Sequence, residues 1–258
     1  MALASGERQA SSSSVMHANR IGLGLNTRRN SMLGAAVLLG AVLAEPSAAQ
    51  AQDTTHSLLT VGRGASIVAG GFLLVAPGIF EFNEAAPPCA PCDPQDVIPF
   101  DRWIIRPVQH GWAVAGDVML VGLVAGTWAD LGRRENGAQH VAASVESIVW
   151  SLGLTQMSKA VVGRLRPIMY TDDAGDAVTR LTNQRSFPSG HTSVAFALAT
   201  SYWLSTNDSG DSKRWWVMGA AVATGVSRVL AAKHFPTDVV AGAALGMAVA
   251  TVVHEIRF

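Results

Sequence analysis

VAASVESIVWSLGLTQMSKAVVGRLRP, residues 141–167, is apolar through Val162 and then turns basic within five residues. An apolar run of this length, rising about 1.5 Å per residue as a helix, covers the hydrocarbon thickness of a bilayer. Lys159 and Arg166 stand seven positions apart. That is close to two helical turns, so a helix carrying both projects them from one face about 10 Å apart along its axis. Pro167 favours a helix end at this point, because the residue before a proline avoids the α region. Taken alone, one Lys and one Arg closing such a helix read as anchors at the membrane surface. Glu146, inside the run, is costly in hydrocarbon and has to face protein or water. A hydrogen bond between helices is its expected use.

Outward from this stretch the pattern repeats. Apolar runs occupy residues 64–80, 112–131, 192–204, 215–232 and 239–253, separated by turn-rich breaks such as EFNEAAPPCAPCDPQD, GRRENGAQ, NDSGDSKR and KHFPTD. The reading is an all-α, membrane-embedded bundle of about six helices with short connections. Asp117 interrupts its run as Glu146 does, and the same interhelix use is expected of it. Trp112, Trp128, Trp150, Trp203, Trp215 and Trp216 suit either headgroup-level rings or packing between helices. The chain has 258 residues, 49% of them hydrophobic, and a formal net charge of zero. With no global positive field and no aromatic-plus-basic tract, nucleic acid is excluded as an expected partner.

The first 51 residues read as a targeting segment. Arg28 and Arg29 precede the apolar run 32–44, and AQA at 49–51 fits a small-residue cleavage site. Residues 52–258 form the expected helical domain, with translation beginning at Met1 or at Met16. The two cysteines, Cys89 and Cys92 in PPCAPCDP, are too few for a zinc site. In an exported loop they form a local disulfide or remain two free thiols.

Chemistry gathers at three places. Besides Lys159 and Arg166, the stretch SFPSGHTS at 186–193 places Pro188, Ser189, Gly190 and His191 where a helix begins, and free N–H groups there attract anions. In SRVLAAKHFPTD, Arg228 ends one run, His234 follows, Pro236 suits the first position of a new helix, and Asp238 falls in its first turn. An Asp four positions after a His can hold the ring's proton-bearing nitrogen, or it can simply compensate the helix dipole. Counting crossings brings all three clusters to one surface. Lys159, Arg166 and Arg228 then call for a multiply charged anion, and phosphate matches the guanidinium fork.

The motifs K-x6-R-P, P-S-G-H and S-R-x5-H-x3-D, in this order, resemble the three signatures of the type 2 phosphatidic acid phosphatase family over about residues 112–256. The resemblance implies an acid phosphatase/vanadium haloperoxidase-like helical fold and a lipid phosphatase working on monoesters or diphosphates. It implies that His234 attacks phosphorus to give a phosphohistidine and Asp238 orients its ring. His191 protonates the leaving alkoxide, while Lys159, Arg166, Arg228, Ser189 and the Gly190 N–H hold the non-bridging oxygens. Phosphoryl transfer asks mainly for positioning and stabilised equatorial charge, so no metal or cofactor is expected. His234 has to be neutral while His191 carries a proton, which predicts a bell-shaped pH profile. A vanadate-dependent haloperoxidase, or a non-catalytic phospholipid-binding or transport bundle, are the competing readings. A halide oxidation assay separates the first, and the presence of both histidines with the aspartate speaks against the second.

Arg133, Arg134, Lys213 and Arg214 fall in loops opposite the three clusters, so the positive-inside rule places catalysis outside the cytoplasm, on a bacterial-type inner membrane. A cleaved signal followed by six full spans gives the reverse. The loop charges take precedence, and the expected partners are the bilayer and a lipid phosphate within it.

Overall fold

The computed structural model describes residues 61–79, 89–206 and 211–258; the targeting segment expected over 1–51 lies outside the described residues. Six long helices carry the described chain: α1 (Val61–Ile79), α2 (His110–Leu131), α3 (Gly137–Val162), α4 (Gly190–Ser205), α5 (Lys213–Leu230) and α6 (Pro236–Arg257). A single helical turn, Ala174–Ala177, and short 3-10 turns punctuate the two longer connections, and there is no strand among the described residues. This is the all-α membrane bundle that the apolar runs predict.

The 16-residue α4 is the central post, packed against α2, α3, α5 and α6. Ala195, Ala197, Leu198 and Ala199 on it are fully buried. Its closest neighbour is α6, and small residues allow the approach. A Cβ at Gly242 would lie 2.5 Å from the Ser189 carbonyl, and one at Gly246 would lie 2.7 Å from the Ala197 amide, so glycines four apart let the two backbones touch. α1 packs on α3, and α2 packs on α5 and α4.

Among the described residues, α1 (over Gly62–Ile79), α2 and α6 are long and apolar enough to cross a membrane by length and composition. The other three helices turn polar side chains inward instead. Ser151 and Thr155 of α3 meet Ser193 of α4, the Thr155–Ser193 contact being 3.1 Å, and the Trp128 indole of α2 donates to Ser144 of α3 at 2.9 Å. Buried hydroxyls paired between helices lower the apolar content of a helix without exposing polar groups to lipid.

The basic end of α3 differs from expectation. The helix stops at Val162, five residues before Pro167, because Gly163 adopts a left-handed conformation (φ 60°) and its N–H closes on the Lys159 carbonyl. Lys159 therefore projects from the last turn of α3, whereas Arg166 arrives from an extended loop (φ −79°, ψ 161°). The two cations do not share one helix face.

α2, α4 and α6 begin at the end of the bundle where α3 and α5 finish. Backbone bonds lock these termini together: Ser189 N–H donates to the Asp238 carbonyl at 2.9 Å, and Gln109 N–H donates to the Ala231 carbonyl at 3.0 Å. The connection between α1 and α2 folds over the same end. There a disulfide joins Cys89 to Cys92, and the Cys92 N–H donates to the Met169 carbonyl at 2.9 Å.

Candidate active site

His234 lies in the turn between α5 and α6, and only 3% of its side chain is exposed. The turn is fixed from below by a small core in which Val97, Ile104, Ala232 and Phe235 pack together. Pro236 at the first position of α6 ends the turn, and Asp238 closes it by accepting the Phe235 N–H on Oδ2 at 2.9 Å. The same Oδ2 accepts the Ser186 hydroxyl at 2.6 Å. His234 Nδ1 is 3.6 Å from Asp238 Oδ2 and 3.4 Å from Ser186 Oγ, so the aspartate faces the ring without a close hydrogen bond. With Nδ1 turned to this pair, Nε2 is the nitrogen left for chemistry. Burial pushes the His234 imidazole well below the usual histidine range, and the charges of Arg166 and Lys159 act in the same direction.

Asp238 is itself held. Arg164 donates to its Oδ1 at 2.7 Å and, with its other terminal nitrogen, to Oδ2 of the fully buried Asp101 at 2.7 Å, while its guanidinium sits 4.2 Å from the centre of the Phe235 ring. Asp101 also accepts the Thr237 amide at 3.2 Å and the Thr237 hydroxyl. Arg164 thereby neutralises two buried carboxylates at once.

The cations expected to cradle an anion converge on this turn. Lys159 donates to the Arg185 carbonyl at 2.8 Å and the Ser186 carbonyl at 3.4 Å, which leaves one of its three protons for another acceptor. Arg166 is brought in by its own N–H bonding to the Asn183 carbonyl at 2.8 Å. Its Nε is buried without a hydrogen-bond partner among the described residues, and so is Nε of Arg228. Burial and the nearby Arg228 charge lower the Arg166 guanidinium to about 10. Lys233 is a further cation at the same place: burial first, and then the Arg228 charge, pull its ammonium down. Mutual repulsion of this kind among buried cations is relieved by an anion.

Ser189, Gly190 and His191 open α4 beside this group. The fully buried Ser189 accepts the Thr192 hydroxyl at 2.9 Å, which leaves its own proton to donate elsewhere. The N–H groups of Gly190 and His191 have no acceptor within their own helix. His191 Nε2 lies 2.8 Å from Asp117 Oδ1 on α2, and the same oxygen accepts Arg228 Nη1 at 2.9 Å. Arg228 also donates to the Ala113 carbonyl at 3.0 Å.

Every residue singled out from the sequence for phosphate chemistry thus reaches one end of the bundle, and those residues are linked: His191 to Arg228 through Asp117, Ser189 to Asp238 through the backbone, and Arg166 and Lys159 to His234 by charge. Sequence reasoning missed Arg164, Asp101, Ser186 and Lys233. Asp117 was expected to bond between helices, and it does; its partners, however, are two residues of the site. Glu146, by contrast, bonds well away from it, to Arg257 at 2.6 Å and to Ser66. The signal available for Asp117 was the cost of a carboxylate in an apolar run, which demands a strong partner without saying which.

Known proteins are similar to the chain over part of its length. Residues 141–258 match the family model described as the PAP2 superfamily. A lipid A 1-phosphatase of Porphyromonas gingivalis is 34% identical over 121 residues, 46% of this chain and 24% of that protein. An undecaprenyl-diphosphatase of Sulfolobus acidocaldarius is 33% identical over 105 residues, 40% of this chain and 48% of that protein. A lipid A 1-phosphatase of Rhizobium etli is 30% identical over 103 residues, 39% of this chain and 43% of that protein. The matches span less than half the length of each of these relatives. No solved structure matches the chain.

Proposed function

From the membership of residues 141–258 in the PAP2 superfamily, we propose that the chain is a metal-independent phosphatase of lipid phosphates, working through a phosphohistidine on His234. The observation that carries the reading is the gathering of Arg166, Arg228, Lys159 and Lys233 about the buried His234, with Arg166 meeting no carboxylate in an ion pair among the described residues. The guest such a cluster of cations calls for is a multiply charged oxyanion.

His234 Nε2, neutral because it is buried, attacks phosphorus. The P–N bond forms as the bond to the leaving oxygen breaks, and His191 gives that oxygen its proton. His191 then takes a proton from water, whose oxygen attacks the phosphohistidine and releases phosphate and free His234. Through both steps Lys159, Arg166, Arg228, the Ser189 hydroxyl and the Gly190 amide carry the equatorial oxygens. Asp117 holds His191 and Arg228 in register, and Asp238, supported by Ser186 and Arg164, backs the His234 ring.

The substrate class we favour is a lipid phosphate monoester or diphosphate. The relatives that are named lipid A 1-phosphatase and undecaprenyl-diphosphatase bracket this range, and apolar helices surround a site at the end of the bundle. The loop charges opposite the site support an orientation facing outside the cytoplasm.

The test is phosphate release by protein in vesicles, over a panel of lipid monophosphates and diphosphates with p-nitrophenyl phosphate as the soluble control. His234→Ala is expected to lose about 10⁴-fold or more in kcat while retaining binding of the lipid phosphate. Radiolabelled phosphate trapped on the wild-type chain should be acid-labile and base-stable. Release from the soluble ester alone removes the lipid claim, and undiminished turnover in His234→Ala removes the nucleophile.

A further inference from the structure

The connection between α1 and α2 carries large apolar side chains outward from a segment that is otherwise tied down. Ile98, Phe100 and Trp103 are 50%, 65% and 62% exposed, while Val97 before them, Asp101 among them and Ile104 after them are buried. Alternation of this kind in a loose loop would mean little. Here Arg102 fixes the loop, donating from Nε to the Val97 carbonyl at 2.6 Å and from its terminal nitrogens to the Gln95 side chain and carbonyl at 3.0 and 2.8 Å. Asp101 pins the segment to Arg164 and Thr237, and the Cys89–Cys92 disulfide lies just upstream. The apolar side chains therefore face outward because the fold holds them there.

We propose that residues 97–104 are a bilayer-contact surface: Ile98, Phe100 and Trp103 insert into the interfacial layer of the leaflet from which the phosphate-bearing lipid reaches His234. That last clause rests on the lipid phosphatase reading, whereas the insertion itself does not. Two observations favour lipid over protein as the occupant. The patch is continuous in the chain with α2, whose exposed Val114, Val118 and Val121 form an outward stripe on a helix long and apolar enough to cross a membrane. Trp112 also stands in the first turn of that helix, where indoles settle at headgroup level, and Trp103 lies nine positions upstream of it.

The inward side of the segment explains why its depth matters. Val97 and Ile104 pack on Phe235, the residue after the nucleophile, and Asp101 reaches Asp238 through the shared Arg164. The surface that touches lipid and the turn that carries His234 are one packed unit. Seating the first in the interface sets the height of the second against the layer of phosphate headgroups.

The experiment is a depth measurement on full-length protein in vesicles of phosphatidylethanolamine and phosphatidylglycerol. Both native cysteines are in the disulfide, so Phe100→Cys, Trp103→Cys or Asp172→Cys supplies the reactive thiol for a nitroxide label. Labels at 100 and 103 should collide more with oxygen than with a water-soluble nickel chelate, and the label at exposed Asp172 on the neighbouring loop should do the reverse. Nickel access at 100 and 103 equal to that at 172 overturns the proposal. Spin–spin broadening between copies, or immobilisation with access to neither relaxant, also overturns it, because protein then covers the patch. In a second arm, Phe100→Ser/Trp103→Ser should raise KM for vesicle-borne lipid phosphate about tenfold, with turnover of p-nitrophenyl phosphate unchanged. Equal loss on both substrates assigns the side chains to holding the site together and defeats the claim. Failure of His234→Ala to abolish turnover would damage the catalytic reading and leave the depth measurement standing.

Discussion

The two ends of the bundle treat their arginines differently. At the end holding the α2–α3 turn, Arg134 lies between Asp130, at 2.6 Å, and Asp211, and Lys213 adds a contact to Asp130 at 2.8 Å. One level inward, Glu146 is gripped by Arg257 at 2.6 Å, with Arg63 3.7 Å away. At the other end, among the described residues, Arg166 has no ion pair, Lys159 donates to the Arg185 and Ser186 carbonyls and meets no carboxylate, and Arg228 shares the half-exposed Asp117 with His191. A cation enclosed by carboxylates holds structure; a buried cation that meets none, or only one shared with a histidine, is held for a guest. Arg164 shows that this is not simply a property of each end. Two residues from Arg166, it is saturated by Asp101 and Asp238 and belongs by that measure to the scaffold.

The strongest way to break this comparison is to remove one arginine or one carboxylate from each class and read activity and ligand stabilisation together. Arg166→Ala should lower kcat/KM about 10²- to 10³-fold, the range found when one donor to a transition-state oxyanion is lost. It should also abolish the rise in unfolding temperature that inorganic phosphate or vanadate gives the wild-type protein, since a ligand stabilises only the state that binds it. Glu146→Ala should leave both readouts in place and instead cost about 3 kcal/mol of stability, because it strands buried Arg63 and half-buried Arg257 opposite a missing charge. If Glu146→Ala loses activity while keeping its stability, or Arg166→Ala unfolds without losing phosphate response, the division between guest-binding and structural cations is wrong.

Asp117 tests the boundary between the classes. It is the carboxylate that Arg228 does have, yet it is 53% exposed and shared with His191. Asp117→Ala leaves Arg228 one anchor fewer, with the Ala113 carbonyl still in reach. A charge-assisted hydrogen bond is worth about 1.5–3 kcal/mol, so a 10- to 150-fold fall in kcat/KM is expected. The fall should exceed that of Asp117→Asn, which keeps the size of the side chain and an oxygen acceptor. Identical losses in the two variants would mean that charge alone matters at this position.

These contrasts also mark what the sequence could and could not reveal. That Lys159, Arg166, Ser189, His191, Arg228, His234 and Asp238 gather at one end was legible because the order of apolar runs between their clusters brings them to one surface; the roles proposed for them came from the resemblance of the three motifs to a phosphatase family. The helix number was legible for the same reason, since runs near bilayer length separated by turns leave few alternatives. The path of Arg166 was not. It depends on Gly163 taking φ 60°, and a glycine before a basic pair is equally consistent with a helix running on to Pro167. The support from Asp101 was hidden for another reason. It reaches α6 and Arg164 across 136 and 63 positions of chain, and no local spacing encodes such a pairing. Arg164 itself, inside GRLRP, reads like Arg166 from sequence alone; only the carboxylates facing it separate the two.

The smallest expected effect concerns protons. Burial lowers the His234 pKa in the folded chain, whereas the unfolded chain takes up a proton there near pH 6.5. Below that pH the unfolded state binds more protons than the folded one, so stability falls as pH drops from about 6.5 and levels off beneath the folded pKa. The readout is the difference between the wild-type protein and His234→Gln in unfolding temperature from pH 7.5 to 5, which cancels what the rest of the chain contributes. The difference should shrink or reverse toward low pH, as the wild type alone pays this penalty. The same shift keeps His234, the proposed nucleophile, neutral in acid, so the acidic limb of kcat/KM should lie below pH 6.5. An acidic limb at or above 6.5, with parallel stability curves for the two proteins, would mean that His234 titrates like an exposed imidazole. It would then be no more a guarded nucleophile than the paired cations at the opposite end are a binding site.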